Sequence, residues 1–228
     1  MEVSTRRGLP HVGGPCGDSA VQQPFDGYDV VSNVDHPHAL ERLLHRLDYQ
    51  PCHGIWSHPH GRLPVFLGGA VDRHGAMRAC APLLQELVDS GSALMTLGPE
   101  ELAELERHVS RRRQRVLVHA GAGSAEDDLS ADGAAELGEW FRSVPLWLDL
   151  PGLRVVHGCW SDVEVELLRA ALDGNCLVDD ERFEMVISSP RHRRAVRTLL
   201  SGAPALECGG TPVVTSRCAG VTGPVLLS

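Results

Sequence analysis

Leu67-Gly68-Gly69-Ala70-Val71-Asp72-Arg73-His74-Gly75 follows directly on the apolar run Leu63–Leu67 and leads into a spaced apolar pattern, Met77, Cys80, Leu84, Leu87 and Val88, closed by Ser90-Gly91. A short apolar run ending in a glycine pair reads as a buried strand. Apolar residues three and four apart read as one face of a helix. Strand, tight turn and helix in that order are the repeating unit of an α/β fold with parallel crossovers.

The same alternation extends in both directions. Upstream, Tyr28 to Val34 is a first strand, and Leu40, Leu43, Leu44 and Leu47 mark an amphipathic helix. Downstream, Ala93 to Leu97 is a third strand, and a helix runs from Pro99 to about Arg113. Gly121 to Asp132 is small and acidic and reads as a surface loop. Glu136 to Val144 reads as a helix, Leu153 to His157 as a strand, and Asp162 to Leu172 as a helix with Asp162 near its start. Leu177 to Pro190 is ambiguous, Ala195 to Leu200 is a short helix, and Val213–Thr215 and Val225–Leu227 are closing strands. In such sheets the loops at the carboxyl ends of the strands build the site. Four loops fall there: Asn33–His38, Gly68–His74, Gly98–Glu101 and His157–Trp160.

Composition bounds the function. With 228 residues the chain fills one domain, expected over residues 27–228 behind a flexible tail at 1–26 that is rich in Gly, Pro, Ser and Gln. No run approaches the ~18–20 apolar residues of a membrane span, and Arg6-Arg7 has no apolar stretch behind it to form a secretory signal. A net charge of −9 argues against nucleic-acid and anionic-membrane partners. All 21 basic residues are arginine, which excludes lysine Schiff-base chemistry. Seven cysteines, an odd number with no C-x-x-C pair, read as a reduced cytoplasmic protein. Cys80 reads as core, and Cys159, beside His157, as packing in preference to a nucleophile.

The four loops carry a family resemblance. Gly68 to Gly75 resembles the G-D-x-x-D-R-G signature of the calcineurin-like metallophosphoesterase superfamily, and the chain is most similar to its branch of bacterial diadenosine tetraphosphate hydrolases and related protein phosphatases. Ala39–Leu44, His58–Arg62, Trp140–Arg142 and Pro145–Trp160 fit that branch as well, so the match runs from about Tyr28 to Leu200. The resemblance implies an αββα sandwich of two mixed sheets flanked by helices.

It also implies a dismantled metal centre. Where the signature has a metal-bridging Asp the chain has Gly69, while Asp72 and Arg73 are kept. In the first motif, D-x-H-G, Asn33 stands for the ligand Asp and Asp35 for the His, with His36 next to it in a loop one residue shorter. In G-N-H-E, read here as Gly98-Pro99-Glu100-Glu101, Pro99 replaces the ligand Asn and Glu100 the His that protonates the leaving group. His157 in Val155–Trp160 keeps a ligand position, and the final G-H pair is missing. A two-metal hydrolase needs a bridging carboxylate to hold its ions ~4 Å apart, and one imidazole cannot retain a hard divalent cation against water. No metal and no cofactor are expected.

The expectation is a protein that has lost dimetal chemistry and kept a pocket for a small metabolite, such as a nucleotide or phosphorylated compound, or for a protein partner. Asp72 and Arg73 are expected to pair and brace their loop, or Arg73 to bind an anion, and Asn33 and His36 complete the binding set. A second reading makes Asp35, Glu100 and His157 the acid–base residues of a repurposed, metal-independent enzyme. A third has the same three holding a single metal ion in a residual phosphoesterase. Pro99-Glu100-Glu101 also serves as a plain helix start, since proline at the first helical position and early acids both favour one. His53, His58 and His60 read as a surface turn, Arg111–Arg113 with Arg115 as a solvated helix end, and His119–Gly123 as a loop without the Lys-Ser/Thr of a phosphate loop.

Overall fold

A computed structural model describes residues 27–32, 36–52, 55–74, 77–119, 137–172 and 174–202, with the side chains of the long central helix described as far as Gln114. The chain is mixed α/β. Its strands are β1 (Tyr28–Val31), β2 (Gln50–Cys52), β3 (Ile55–Ser57), β4 (Leu63–Leu67), β5 (Leu94–Thr96), β6 (Trp147–Leu150) and β7 (Leu153–Val156). Its helices are α1 (Pro37–Arg46), α2 (Ala81–Asp89), α3 (Pro99–His119), α4 (Asp162–Leu172), α5 (Asp180–Ser188) and α6 (Pro190–Ser201), with a helical turn at 137–140.

β4 is the centre of a parallel three-stranded sheet ordered β1-β4-β5. Its first four residues are all buried, as a strand covered on both faces must be. Two antiparallel ribbons, β2-β3 and β6-β7, complete the described strands. The three strand–helix alternations around Gly68 are therefore present, with β4 at the predicted bounds. Of the ribbon strands β7 was expected, at Leu153–His157, while β2, β3 and β6 were not: three- and four-residue strands carry too few residues to show a two-residue period.

Each helix has a local cause. Pro37 sits in the first turn of α1, and Leu40 and Leu44 face the core. The helix stops because Asp48 adopts φ 65°; the Tyr49 N–H then reaches the Leu44 carbonyl at 2.9 Å and the Asp48 N–H that of His45 at 3.1 Å. That stop drives Tyr49 into the core, fully buried, where its hydroxyl donates to Asp29 at 2.9 Å. Arg62 closes the same carboxylate from the other side, donating to both of its oxygens. β1, the end of α1 and the start of β4 are thus pinned together through Asp29.

Some boundaries move. The helix expected from Met77 begins at Ala81: Met77 forms a bridge with Val71, and Cys80 precedes the first turn, which holds Pro82. Cys80 is fully buried, as expected of a core residue. Residues 141–143 are turn, so the segment expected to be helical through Val144 ends early, ahead of Pro145. The ambiguous stretch after Leu177 contains α5, capped by the Asp179 side chain on the Arg182 N–H. α6 is longer than expected, because Ser189 and Pro190 start it a turn upstream of Ala195.

Three further expectations are corrected. His58 is buried, its ring edge-on to Tyr49 and its Nδ1 accepting the His60 N–H at 3.0 Å, so only Pro59 and His60 of that turn face water. Arg111, Arg112 and Arg113 lie within α3, not at its end, and pair with Glu104, Glu139 and Glu184. Cys52 is disulfide-bonded, against the expectation of uniformly reduced cysteines, while Cys80, Cys159 and Cys176 are free. The tail at 1–26, the loop at 121–132, His53, and the strands expected at 213–215 and 225–227 lie outside the described residues. No described helix is long and apolar enough to cross a membrane.

Candidate functional site

The loop after β4 begins with two glycines in the left-handed half of backbone space, Gly68 at φ 58° and Gly69 at φ 103°. This conformation turns three successive N–H groups, those of Gly69, Ala70 and Val71, toward one point. All three donate to Oε1 of Glu101, at 3.0, 2.9 and 2.9 Å. Glu101 is the third residue of α3, and its other oxygen accepts the N–H of Gly98 at 3.0 Å. The Gly98 carbonyl takes the first helical bond, from Leu102 at 3.1 Å. This is half of a capping box, an acid in the first turn reaching back to the residue that starts the helix. Its spare oxygen is occupied by a nest of backbone donors of the kind that elsewhere binds anions.

Glu101 is almost fully buried. Four N–H donors satisfy it, which is what makes burial of a carboxylate tolerable. It also means that Glu101 has no oxygen left to offer a metal or a substrate. The residue was passed over in the sequence, although the signal was present: an acid three places after a glycine that follows a strand.

Glycine is required where these elements touch. A Cβ on Gly98 would lie 2.5 Å from Glu101 Oε2 and 3.0 Å from Cδ2 of His157, and a Cβ on Gly68 would lie 2.8 Å from the same Glu101 oxygen. The loop after β4, the start of α3 and His157 are therefore in van der Waals contact. At Gly69 no described residue lies within 4 Å of where a side chain would project.

His157 follows β7 and is half-buried. Its Nδ1 lies 2.8 Å from the carbonyl of Leu200 near the end of α6. A carbonyl only accepts, so Nδ1 carries the proton, and in the neutral ring Nε2 keeps a lone pair on the side facing Gly98. The neighbouring backbone is fastened in the same way: Gly158 N–H donates to Leu199 at 2.7 Å and Cys159 N–H to Thr198 at 3.2 Å.

The other anticipated residues divide. Glu100, in the first turn of α3, is half-exposed and makes no hydrogen bond or ion pair with another described residue. His36 caps α1 by accepting the His38 N–H at 3.3 Å, and no bond ties it to the Glu101 cluster. Asp72 accepts the His74 N–H at 2.8 Å, and Arg73 donates from Nε to His74 at 3.3 Å instead of pairing with Asp72. The loop is braced by Glu101, not by an Asp72–Arg73 pair. Asn33 and Asp35 lie outside the described residues. Three of the four anticipated loops thus meet, at Gly68–Val71, Gly98–Glu101 and His157.

Among the described residues no three His, Cys, Asp or Glu side chains come together as metal ligands. Among the described residues the junction itself offers one imidazole nitrogen, that of His157. Chemically that is a proton acceptor against the Gly98 backbone. Cys159 is exposed, with its thiol directed to the Trp160 carbonyl at 3.7 Å. Compared with family models, with curated proteins and with solved structures, the chain matches none.

Proposed function

We propose that the chain is a metallophosphoesterase-fold protein that has lost its dimetal centre and retains the loop pocket as a binding site for a small metabolite or a protein partner. The αββα arrangement of two mixed sheets belongs to the same proposal. The observation that carries it is Glu101: a buried carboxylate, saturated by four backbone N–H groups, holds together a turn whose ligand positions, 69 and 99, are glycine and proline. A loop kept rigid without its ligands is what remains when a scaffold outlives its metal chemistry. Gly69, His157 Nε2 and Glu100 are the features a ligand would meet. The ligand class, a nucleotide or other phosphorylated compound, rests on the resemblance at residues 67–75 and 155–160. Nucleic acid and membrane are not among the proposed partners, given the charge of −9.

The test is metal analysis of protein purified without chelator, together with a phosphodiesterase assay. Fewer than one tightly bound divalent ion per chain and no turnover are expected. Two ions per chain with turnover would sink the proposal.

The second reading, a metal-independent acid–base enzyme, is favoured by one feature. The bond from His157 Nδ1 to Leu200 fixes the ring and leaves Nε2 with a lone pair that can act as a base. It requires those side chains chemically. Replacing Asp35, Glu100 and His157 singly by Ala and finding the biological output intact would eliminate it. The third reading, hydrolysis with one metal, requires added Mn²⁺ to raise both melting temperature and activity.

A further inference from the structure

Ser189 and Pro190 start α6, and four arginines follow within two turns: Arg191, Arg193, Arg194 and Arg197. No acidic residue stands in the first turn. This opposes local physics, because the amino end of a helix carries the positive pole of its dipole, and like charges three and four residues apart repel.

Several arginines elsewhere are neutralised. Arg62, Arg107, Arg111, Arg112, Arg113 and Arg142 each meet a carboxylate. The side chains of Arg193 and Arg197 do not: both are exposed, one helical turn apart, and neither forms a hydrogen bond or ion pair with any described residue, as is also true of Arg42 and Arg46 on α1. In a chain with 30 acidic residues, these two adjacent guanidinium groups stand without a described carboxylate. Core packing does not demand them, since the buried residues of α6 are Ala195, Val196, Thr198, Leu199 and Leu200 while both arginines are exposed.

The same two arginines line a groove. With Arg194, Ile187, Ser188, Pro190 and Thr198 they enclose about 430 Å³ between the end of α5 and the first turns of α6. That volume is within the ~300–1,000 Å³ range of small-molecule sites. Ile187 and Pro190 supply apolar wall, and the guanidinium groups supply fixed forks suited to phosphate oxygens.

We infer that this groove is a binding site for a soluble phosphorylated small molecule carrying at least two negative charges. Arg193 and Arg197 clamp its phosphate oxygens, and Ile187 and Pro190 contact its uncharged part. The site is separate from the loop junction at His157 and stands whether or not that junction binds anything.

Calorimetric titration of the full chain with inorganic pyrophosphate at ~0.15 M salt, where free surface charges are well screened, tests it. One saturable site per chain is expected. It should weaken at least tenfold in the Arg193→Ala/Arg197→Ala double variant and partly recover in the Lys/Lys pair, with unchanged melting temperature. If the double variant melts early, the single Arg197→Gln variant serves the same comparison. The inference is overturned by no saturable binding below millimolar pyrophosphate, or by binding that survives the double variant. Equal displacement by sulfate, or tighter capture by phosphatidylglycerol vesicles or a single-stranded RNA oligomer than by the soluble anion, overturns it as well.

Discussion

The ring of His157 is bonded through Nδ1 to the carbonyl of Leu200, 43 residues further along the chain, at 2.8 Å. This single bond fixes the tautomer of the one imidazole at the loop junction and joins β7 to the carboxyl end of α6. In neutral solution the His157 ring should be the Nδ1-protonated tautomer, read by nitrogen-15 NMR of the imidazole. His157→Ala should cost about 1 kcal/mol, the net worth of an intramolecular hydrogen bond. His157→Asn, whose side-chain amide can occupy the place of Nδ1, should recover most of it. A loss as large in Asn as in Ala would contradict this role for the bond.

Glu101 should be the most sensitive polar residue of the site. Glu101→Ala strands four backbone donors around a void, and each unsatisfied buried group costs about 1–3 kcal/mol, not additively, so a total loss of roughly 3 kcal/mol or more is expected in urea denaturation. Glu101→Gln should lose less, since its amide oxygen can still serve residues 69–71 while its NH₂ meets the Gly98 N–H donor to donor. Added formate, an acceptor small enough for the nest, should raise the melting temperature of the Ala variant and leave the wild type unchanged.

Gly98→Ala and Gly152→Ala separate crowding from backbone strain. At position 98 the new methyl would meet Glu101 and His157 at 2.5 and 3.0 Å; overpacking of this kind costs about 1–3 kcal/mol. At position 152, φ is 76° with no described residue within 4 Å, so only the left-handed backbone penalty of about 1 kcal/mol is expected. Denaturation midpoints should rank 98 below 152, and only the change at 98 should perturb the His157 ring signals.

Alkaline pH should destabilise the fold in a defined order. Burial pushes the Cys176 thiol up to about 11. Burial first, and then the Asp29 carboxylate, hold the Tyr49 phenol far above its ordinary value of 10.0, with Arg62 opposing. Both groups stay protonated in the folded chain after the unfolded chain has begun to release its protons. The folded state then binds more protons, and stability falls as pH rises. The thiol contribution should start near 9 and level off above about 11; the phenol contribution should start near 10 and continue. Denaturation midpoints from pH 7 to 11 read both. Cys176→Ala should shrink the earlier fall and Tyr49→Phe the later one, at the expense of about 1 kcal/mol at neutral pH; the remainder belongs to Cys80 and Tyr28, which burial also pushes up.

The parts of the fold legible in the sequence are those whose cause is local. Leu63–Leu67 between turn residues, the glycine pair after it and the leucines of α1 and α4 each announce themselves within a few positions. The site was legible as a meeting of loops, because strand ends in a parallel sheet must share an edge. Its working parts were not. Glu101 looked like an ordinary early acid of a helix, since nothing near it in the sequence says that residues 69–71 will turn their N–H groups to it. Arg73 looked like a bracing residue, yet its bond is to the next side chain along, His74. His58 looked like a surface turn because its burial depends on Tyr49, which is delivered by the stop of α1. In each case the deciding partner is either distant in sequence or set by a backbone angle.

Three consecutive carbonyls of α6, at Thr198, Leu199 and Leu200, receive Cys159, Gly158 and His157 in turn, and a Cβ on Gly158 would lie 2.4 Å from the nitrogen of Gly202. This makes the helix a gauge of fixed length. One residue inserted between Pro190 and Thr198 would rotate everything beyond it by about 100° and advance it about 1.5 Å, carrying all three acceptors out of phase with the loop they hold. Substitutions on the outer face of α6 leave this register intact, but a change in its residue count cannot be absorbed there. The spacing from the arginine groove to His157 is therefore set by the periodicity of the helix itself.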